Sequence, residues 1–247
     1  MIGRVSAVLG VFSAEQPVLS VSEITRRTGL AKSVTSRIIA ELVGEDFLER
    51  TEGGVCVGIR MFELGELAQR SKELRKLALA TMADLRQATG LTVQLSVLHG
   101  IENVYVEILR GRDAQLAIRS RVGGRVLAYA TAGGKAVLAH SPDELIDQAL
   151  SGELVSLGPA TITDPAVLRR QFEQVRETGF AHESQESNPG VCCVACPILG
   201  PDGAPIAAIS VTAPVGKVEV LQFAPAVRIA ALGLNRRIRA NTLFNAL

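Results

Sequence analysis

The stretch "GVCCVACPILG", Gly190 to Gly200, packs three of the chain's four cysteines into five positions. Cys193-x-x-Cys196 has the spacing of half a zinc knuckle and of a dithiol redox pair. Cys193 would also serve as a nucleophile if a histidine such as His182 lay within reach to activate it. A second group suits different chemistry. Lys32, Ser33, Thr35, Ser36 and Arg37 crowd one short segment. Small hydroxyl residues let a helix sit close to base edges, Arg37 can fork onto guanine, and Lys32 can neutralise a phosphate. A third is "TAGGKAVLAH", where the backbone N–H groups of Ala132, Gly133 and Gly134 open a helix start and favour a carboxylate. It is not a Walker A loop, because Lys135 is followed by Ala136 and position 129 is Tyr129.

The elements that carry these residues narrow the choice. "VCCVACPIL" reads as a strand, on which Val191, Cys193 and Ala195 point one way and Cys192, Val194 and Cys196 the other. Cys193 and Cys196 then leave opposite faces and cannot hold one ion or close a disulfide without a bend. No second CxxC exists. His182 and Glu183 are neighbours on another strand and also face apart, so the expectation is no metal, no cofactor and no enzyme. A Cys/His enzyme and a protein-interaction adaptor remain the alternatives.

Around the basic segment the layout is helix, short helix, turn, helix, hairpin. Val5, Val8, Leu9 and Phe12 stripe a helix over residues 4–14. Ser20 and Glu23 form a capping box for a short helix that Gly29 ends. Val34, Ile38 and Leu42 give the next helix its apolar face, and Glu52-Gly53-Gly54 turns a hairpin. This is a winged helix-turn-helix. Residues 61–88 read as a linker helix, broken near Ser71, that also offers a dimer seam.

From Gly90 onward the pattern changes. "LTVQLSVLHG" and "ENVYVEILRG" form a hairpin, and "AQLAIRSRV" is a third strand. Helices follow at "TAGGKAVLAH", at "SPDELIDQAL" with Ser141 as N-cap and Glu144 closing a box, and at "TDPAVLRRQFEQVRETG" between Asp164 and Gly179. Three more strands and a terminal helix from about Val218 to Phe244, with Pro225 near its start or kinking it, complete an α+β domain around a mostly antiparallel sheet.

Net charge is +1, but between Ser20 and Ala40 four cations, Arg26, Arg27, Lys32 and Arg37, face Glu23 alone. At 47% hydrophobic the chain can build a sizeable core. Its amino terminus lacks a signal-peptide layout and no long apolar run occurs, so a soluble cytoplasmic protein with thiol cysteines and no membrane partner is expected.

"VLSVSEITRRTGLAKSVTSRIIAELVGEDFLER" resembles the helix-turn-helix of the IclR family of transcriptional regulators. "SRVGGRVLAYATAGGKAVLAH", "TITDPAVLRRQFEQVRETGFA" and "ESNPGVCCVACPILGPDGAPIAAISVTAP" are similar to its remaining signatures, in the same order. The resemblance implies a winged helix-turn-helix DNA-binding domain over 1–60, a linker helix over 61–89 and a GAF-like effector-binding domain over 90–247. It implies double-stranded operator DNA as one partner, met by Ser22, Lys32, Ser33, Thr35, Ser36 and Arg37. A small carboxylate effector and assembly as a homodimer or homotetramer complete the expectation. Carried over by position, the effector pocket holds Glu183, Cys193, Ser210 and Thr212, with Ala132 and Gly133 at its helix start. Leu116, Ile118, Val126 and Val191 are its apolar walls.

Overall fold

The computed structural model describes residues 1–13, 15–112, 120–241 and 244. The chain divides into two compact units, Met1–Lys72 and Glu73–Leu247.

In the first unit, α1 (Ile2–Leu9), α2 (Val21–Thr28) and α3 (Lys32–Gly44) precede a hairpin of β1 (Leu48–Thr51) and β2 (Gly54–Val57). Val8, Ile24, Ile38, Ile39, Leu42, Leu48 and Val55 form its core. α1 stops at Gly10, so Phe12 packs from beyond the helix. Ser20 Oγ accepts the Glu23 N–H at 3.2 Å, and Gly29 ends α2 at φ +67°. Only half of the expected capping box forms. The Glu23 carboxylate turns to Arg26 (2.6 Å) and Arg27 (2.7 Å) instead, since two guanidinium groups one turn away outweigh one neutral N–H. These hydrogen bonds, Arg26 first, hold the Glu23 carboxyl down at about 2. Gly54 is the fixed point of the hairpin: at φ +152°, a Cβ there would lie 2.1 Å from the Leu19 carbonyl oxygen, which faces Val55 across an extra bridge.

α4 (Ile59–Glu66) and α5 (Gln69–Thr89) part at Leu67–Ala68, earlier than the expected break. In the second unit, β3 (Thr92–His99), β4 (Glu102–Leu109), β5 (Arg125–Leu127), β6 (Ala181–Ser184), β7 (Val191–Leu199) and β8 (Pro205–Pro214) form a sheet in the order β5-β4-β3-β8-β7-β6. Every described pairing is antiparallel. Most of the expected strand "AQLAIRSRV" lies outside the described residues.

Each sheet face has its own core. Leu74, Met82 and Leu85 of α5 and Val227, Leu234 and Ile238 of α9 (Ala224–Arg239) cover Val93, Leu95, Val194, Cys196, Ile209 and Val211. α6 (Ala132–Leu138), α7 (Asp143–Leu150) and α8 (Pro165–Thr178) cover the other face with Val137, Leu138, Ile146, Leu168 and Phe172. Each such side chain, fully buried, stabilises by about 1.5–3 kcal/mol. Asp164 caps α8 at Ala166 N–H (2.8 Å) and Gly179 closes it at φ +79°. Ser141 does not cap α7. Its hydroxyl donates back to Val137 O at 2.9 Å, and the helix begins one residue later than expected, after Pro142. α9 follows a 3₁₀ turn over Val220–Phe223, so Pro225 sits in its first turn and kinks nothing.

Candidate functional site

On α3, Lys32, Ser33, Ser36 and Arg37 are exposed, as is Ser22 on α2. Lys32 and Arg37 make no ion pair among the described residues, whereas Arg26 and Arg27 are both held by Glu23. The unopposed charge of the basic segment therefore sits on α3. Ala31 supplies no side-chain cap, which leaves first-turn N–H groups open to a phosphate. Thr35 corrects the expected set: it is fully buried, with its hydroxyl donating to Ala31 O at 3.3 Å. It lies three, four and seven residues before Ile38, Ile39 and Leu42, so it belongs to the core face and cannot reach a base.

In the second unit a cavity of about 410 Å³ opens on the face of the sheet opposite α5 and α9. Val126, Val191, Cys193 and Thr212 line it. The antiparallel register sets Cys193 opposite both Thr212 and Glu183, and Gln94 opposite Ser210. Their polar atoms close on each other. Cys193 Sγ lies 3.1 Å from Thr212 Oγ1, and Thr212 donates to Gln94 Oε1 at 3.1 Å. Ser210 donates to the same oxygen at 3.4 Å, and Gln94 Nε2 donates to Ser120 Oγ at 2.7 Å. The floor is a satisfied, uncharged network.

Glu183 and Ser210 stand one layer behind the wall. Glu183 is buried beside Cys193, and its two oxygens accept the Glu186 N–H (2.8 Å) and the Ser187 hydroxyl (3.2 Å), fastening the β6–β7 turn. Burial raises its carboxyl above the usual 4.5. Ala132 and Gly133 are buried and off the cavity wall. Thr131 Oγ1 already accepts the Gly134 N–H at 3.0 Å, and a Cβ on Gly133 would lie 2.7 Å from Ser96 Oγ. Of the three N–H groups expected at this helix start, that of Gly134 is thus taken by the protein's own hydroxyl, and the Asn103 amide lies beside Gly133. Leu116 and Ile118 lie outside the described residues.

The sequence reading missed Gln94, Tyr105 and Arg125, together with Glu102, Leu157, Ser187 and Asn188 at the rim. Gln94 had a local signal, a lone amide in an apolar alternating strand; Arg125 and Tyr105 had none. Asn103, two residues before Tyr105, is buried with neither amide atom in a hydrogen bond among the described residues. Lys135 was also unread. Its side chain is 1% exposed, with the ammonium group 2.6 Å from both Glu186 oxygens and 2.8 Å from Gln171 Oε1. Burial pulls its pKa down, against the pull of Glu186.

Cys193 faces the cavity while Cys192 and Cys196 pack on the α5/α9 side. Burial raises all three thiols, Cys196 to about 12 and Cys193 most strongly, so none is a ready thiolate. His182 lines a different cavity beside Gln171 and Gln174, away from Cys193, and the two do not pair. Among the described residues no His, Cys, Asp or Glu cluster can hold a metal ion, and no helix is long and apolar enough to cross a membrane.

Comparison with known proteins adds independent findings. The family model described as "IclR helix-turn-helix domain" matches residues 2–52, and "Bacterial transcriptional regulator IclR C-terminal" matches residues 66–235. The transcriptional regulator XynR of Escherichia coli is 30% identical over 241 residues, covering 95% of each chain. A crystal structure of an IclR homolog from Microbacterium hydrocarbonoxydans, complexed with 4-hydroxybenzoate, superposes with TM-score 0.87. It is 32% identical, over 97% of this chain and 99% of that one. The IclR of Thermotoga maritima has TM-score 0.75 and 28% identity, over 96% and 98%.

Proposed function

The chain belongs to the IclR family of bacterial transcriptional regulators, and from that premise we propose which of its residues read DNA, which meet the effector and how the two are coupled. It is a regulator with a helix-turn-helix DNA-binding domain and a carboxyl-terminal effector-binding domain. We assign DNA binding to residues 1–60, a linker to 61–89 and effector binding to 90–247. Lys32, Ser33, Ser36 and Arg37, with Ser22, meet operator DNA. A small carboxylate occupies the cavity against Val126, Val191, Cys193 and Thr212; the relative that holds 4-hydroxybenzoate supports that choice of chemistry. The protein works in the cytoplasm as a homodimer or homotetramer and turns over no substrate. The effector acts because it binds one arrangement of the DNA-reading helices better than another, changing their match to half-site spacing.

One observation carries this reading: unopposed cations on an exposed α3 in one unit, and in the other a walled cavity with an uncharged polar floor. The test is fluorescence anisotropy with duplex DNA from upstream of the protein's own gene, at several salt concentrations, with and without a carboxylate panel. Arg37→Ala should weaken binding by about 1–3 kcal/mol and lower the salt slope by about 1. Unchanged binding in Arg37→Ala, or no carboxylate that alters binding, overturns the corresponding half.

A further inference from the structure

Asn103 buries a whole amide without using it. The side chain is 1% exposed, and neither Oδ1 nor Nδ2 has a hydrogen-bond partner among the described residues. An unmatched buried amide lowers stability, so its place calls for a use outside folding. Strand register sets it on the cavity side of the sheet. It lies opposite Leu98 on β3, which packs with the core under α6, α7 and α8, and opposite Val126 on β5, which lines the cavity. Tyr105, two residues further along β4 on the same face, lines the cavity as well. From the helix side Gly133 comes close: a Cβ there would lie 3.5 Å from Asn103 Oδ1, 3.7 Å from Nδ2 and 2.7 Å from Ser96 Oγ. The N–H groups of Ala132 and Gly133 also have no partner among the described residues, whereas Thr131 Oγ1 takes that of Gly134. Such N–H donors suit the charged end of an acid. The amide asks for something else, because Nδ2 donates and Oδ1 only accepts. A carboxylate would serve the first and be opposed by the second; a hydroxyl group can serve either.

We infer that Asn103 is a specificity-determining residue of the effector site: its buried amide pairs with a hydroxyl group of the ligand, so the site selects hydroxylated acids over their unsubstituted parents. This rests on the reading that a small carboxylate occupies the cavity, and it adds which second group that molecule carries. The selection works by what is left unpaired. An acid with the hydroxyl satisfies an amide atom that the protein leaves bare, while its parent acid leaves both bare and gains nothing there.

The experiment is isothermal titration calorimetry on the full chain with five probes: benzoate against 3-hydroxybenzoate and 4-hydroxybenzoate, and propionate against lactate. The wild type should prefer at least one hydroxylated acid over its parent by about tenfold or more, the gain expected from one well-placed buried hydrogen bond. Asn103→Val should bring the two to equal affinity while the parent acid binds as before. Asn103→Thr has the shape of the valine variant but carries a hydroxyl, so it should restore part of the preference. That pair separates loss of the polar group from any change in packing, which a merely structural amide would not distinguish. Thermal melts report on the folding of each variant, and Asn103→Ala carries the comparison if neither branched variant folds. A wild type that binds acids without regard to the hydroxyl overturns the inference while the carboxylate cavity stands, as does a preference that survives Asn103→Val. A valine variant that loses parent and hydroxylated acids equally overturns it in favour of an amide that holds the carboxylate. A wild type that binds none of the five probes overturns the carboxylate reading, and the inference with it.

Discussion

The two faces of the six-stranded sheet are built from the same strands and solve different problems. On β7, Cys192, Val194 and Cys196 meet α5 and α9, while Val191, Cys193 and Ala195 turn to the cavity side. On β8, Ile209 and Val211 alternate with Ser210 and Thr212, and on β3, Val93 and Leu95 alternate with Gln94 and Ser96. The apolar face needs only complementary volume. The other face buries an amide, hydroxyls, a thiol, a carboxyl and an ion pair, each of which must find a partner in the same shell. It nearly succeeds, with Asn103 as the exception among the described residues. The contrast shows how a polar cavity is kept inside a folded domain: one face supplies the stability that lets the other hold polar groups around it.

The sharpest way to break the contrast is at the buried ion pair. Lys135→Met leaves Glu186 as an uncompensated buried charge and releases its grip on the β6–β7 turn. The expected loss is about 3–5 kcal/mol by urea unfolding, while pairing it with Glu186→Leu should recover much of the deficit. A loss below about 1 kcal/mol would mean that this face tolerates an unmatched charge.

A smaller effect comes from truncating each face at adjacent positions. Ile209→Ala on the apolar side should cost about 2–4 kcal/mol through lost burial and the cavity left behind. Ser210→Ala removes one long hydrogen bond to a Gln94 oxygen that Thr212 still serves, and should cost about 1 kcal/mol or less. Equal costs would erase the distinction between volume and partner matching.

Much of this was legible locally. Cys192 and Cys193 separated correctly because strand alternation is a near-neighbour rule, and Asp164, Gly29 and Gly179 each mark a helix end with chemistry confined to a few residues. Thr35 was misplaced because a small residue fits either side of a helix, and only the packing of Ile38 and Ile39 decides. Ser141 failed as a cap because the carbonyl of Val137, on the preceding helix, competes for its hydroxyl. Arg125, Tyr105 and the Lys135–Glu186 pair were invisible for a further reason. Strand register and long-range packing bring them to the site, as when Gln94 meets Ser210 from 116 positions away, and no spacing rule reaches that far.

The subtlest test concerns the protonation of Glu183, an acid lodged behind the cavity wall. Its carboxyl is raised by burial more than its bonds from Glu186 N–H and Ser187 lower it, so the folded chain holds that proton more tightly than the unfolded chain does. A raised folded-state pKa contributes stability that is complete below the unfolded value of 4.5 and is lost as pH rises through the folded value. Glu183→Gln cannot titrate, so wild-type stability minus variant stability should decline from pH 4.5 toward neutrality, read by urea unfolding at constant ionic strength. Ile209 is a buried aliphatic side chain with nothing to titrate, so Ile209→Ala should shift the whole curve without changing its slope. If instead the difference is flat, or grows with pH, Glu183 is ionised at little cost, and an anion would be opposed from behind Cys193 across the whole range.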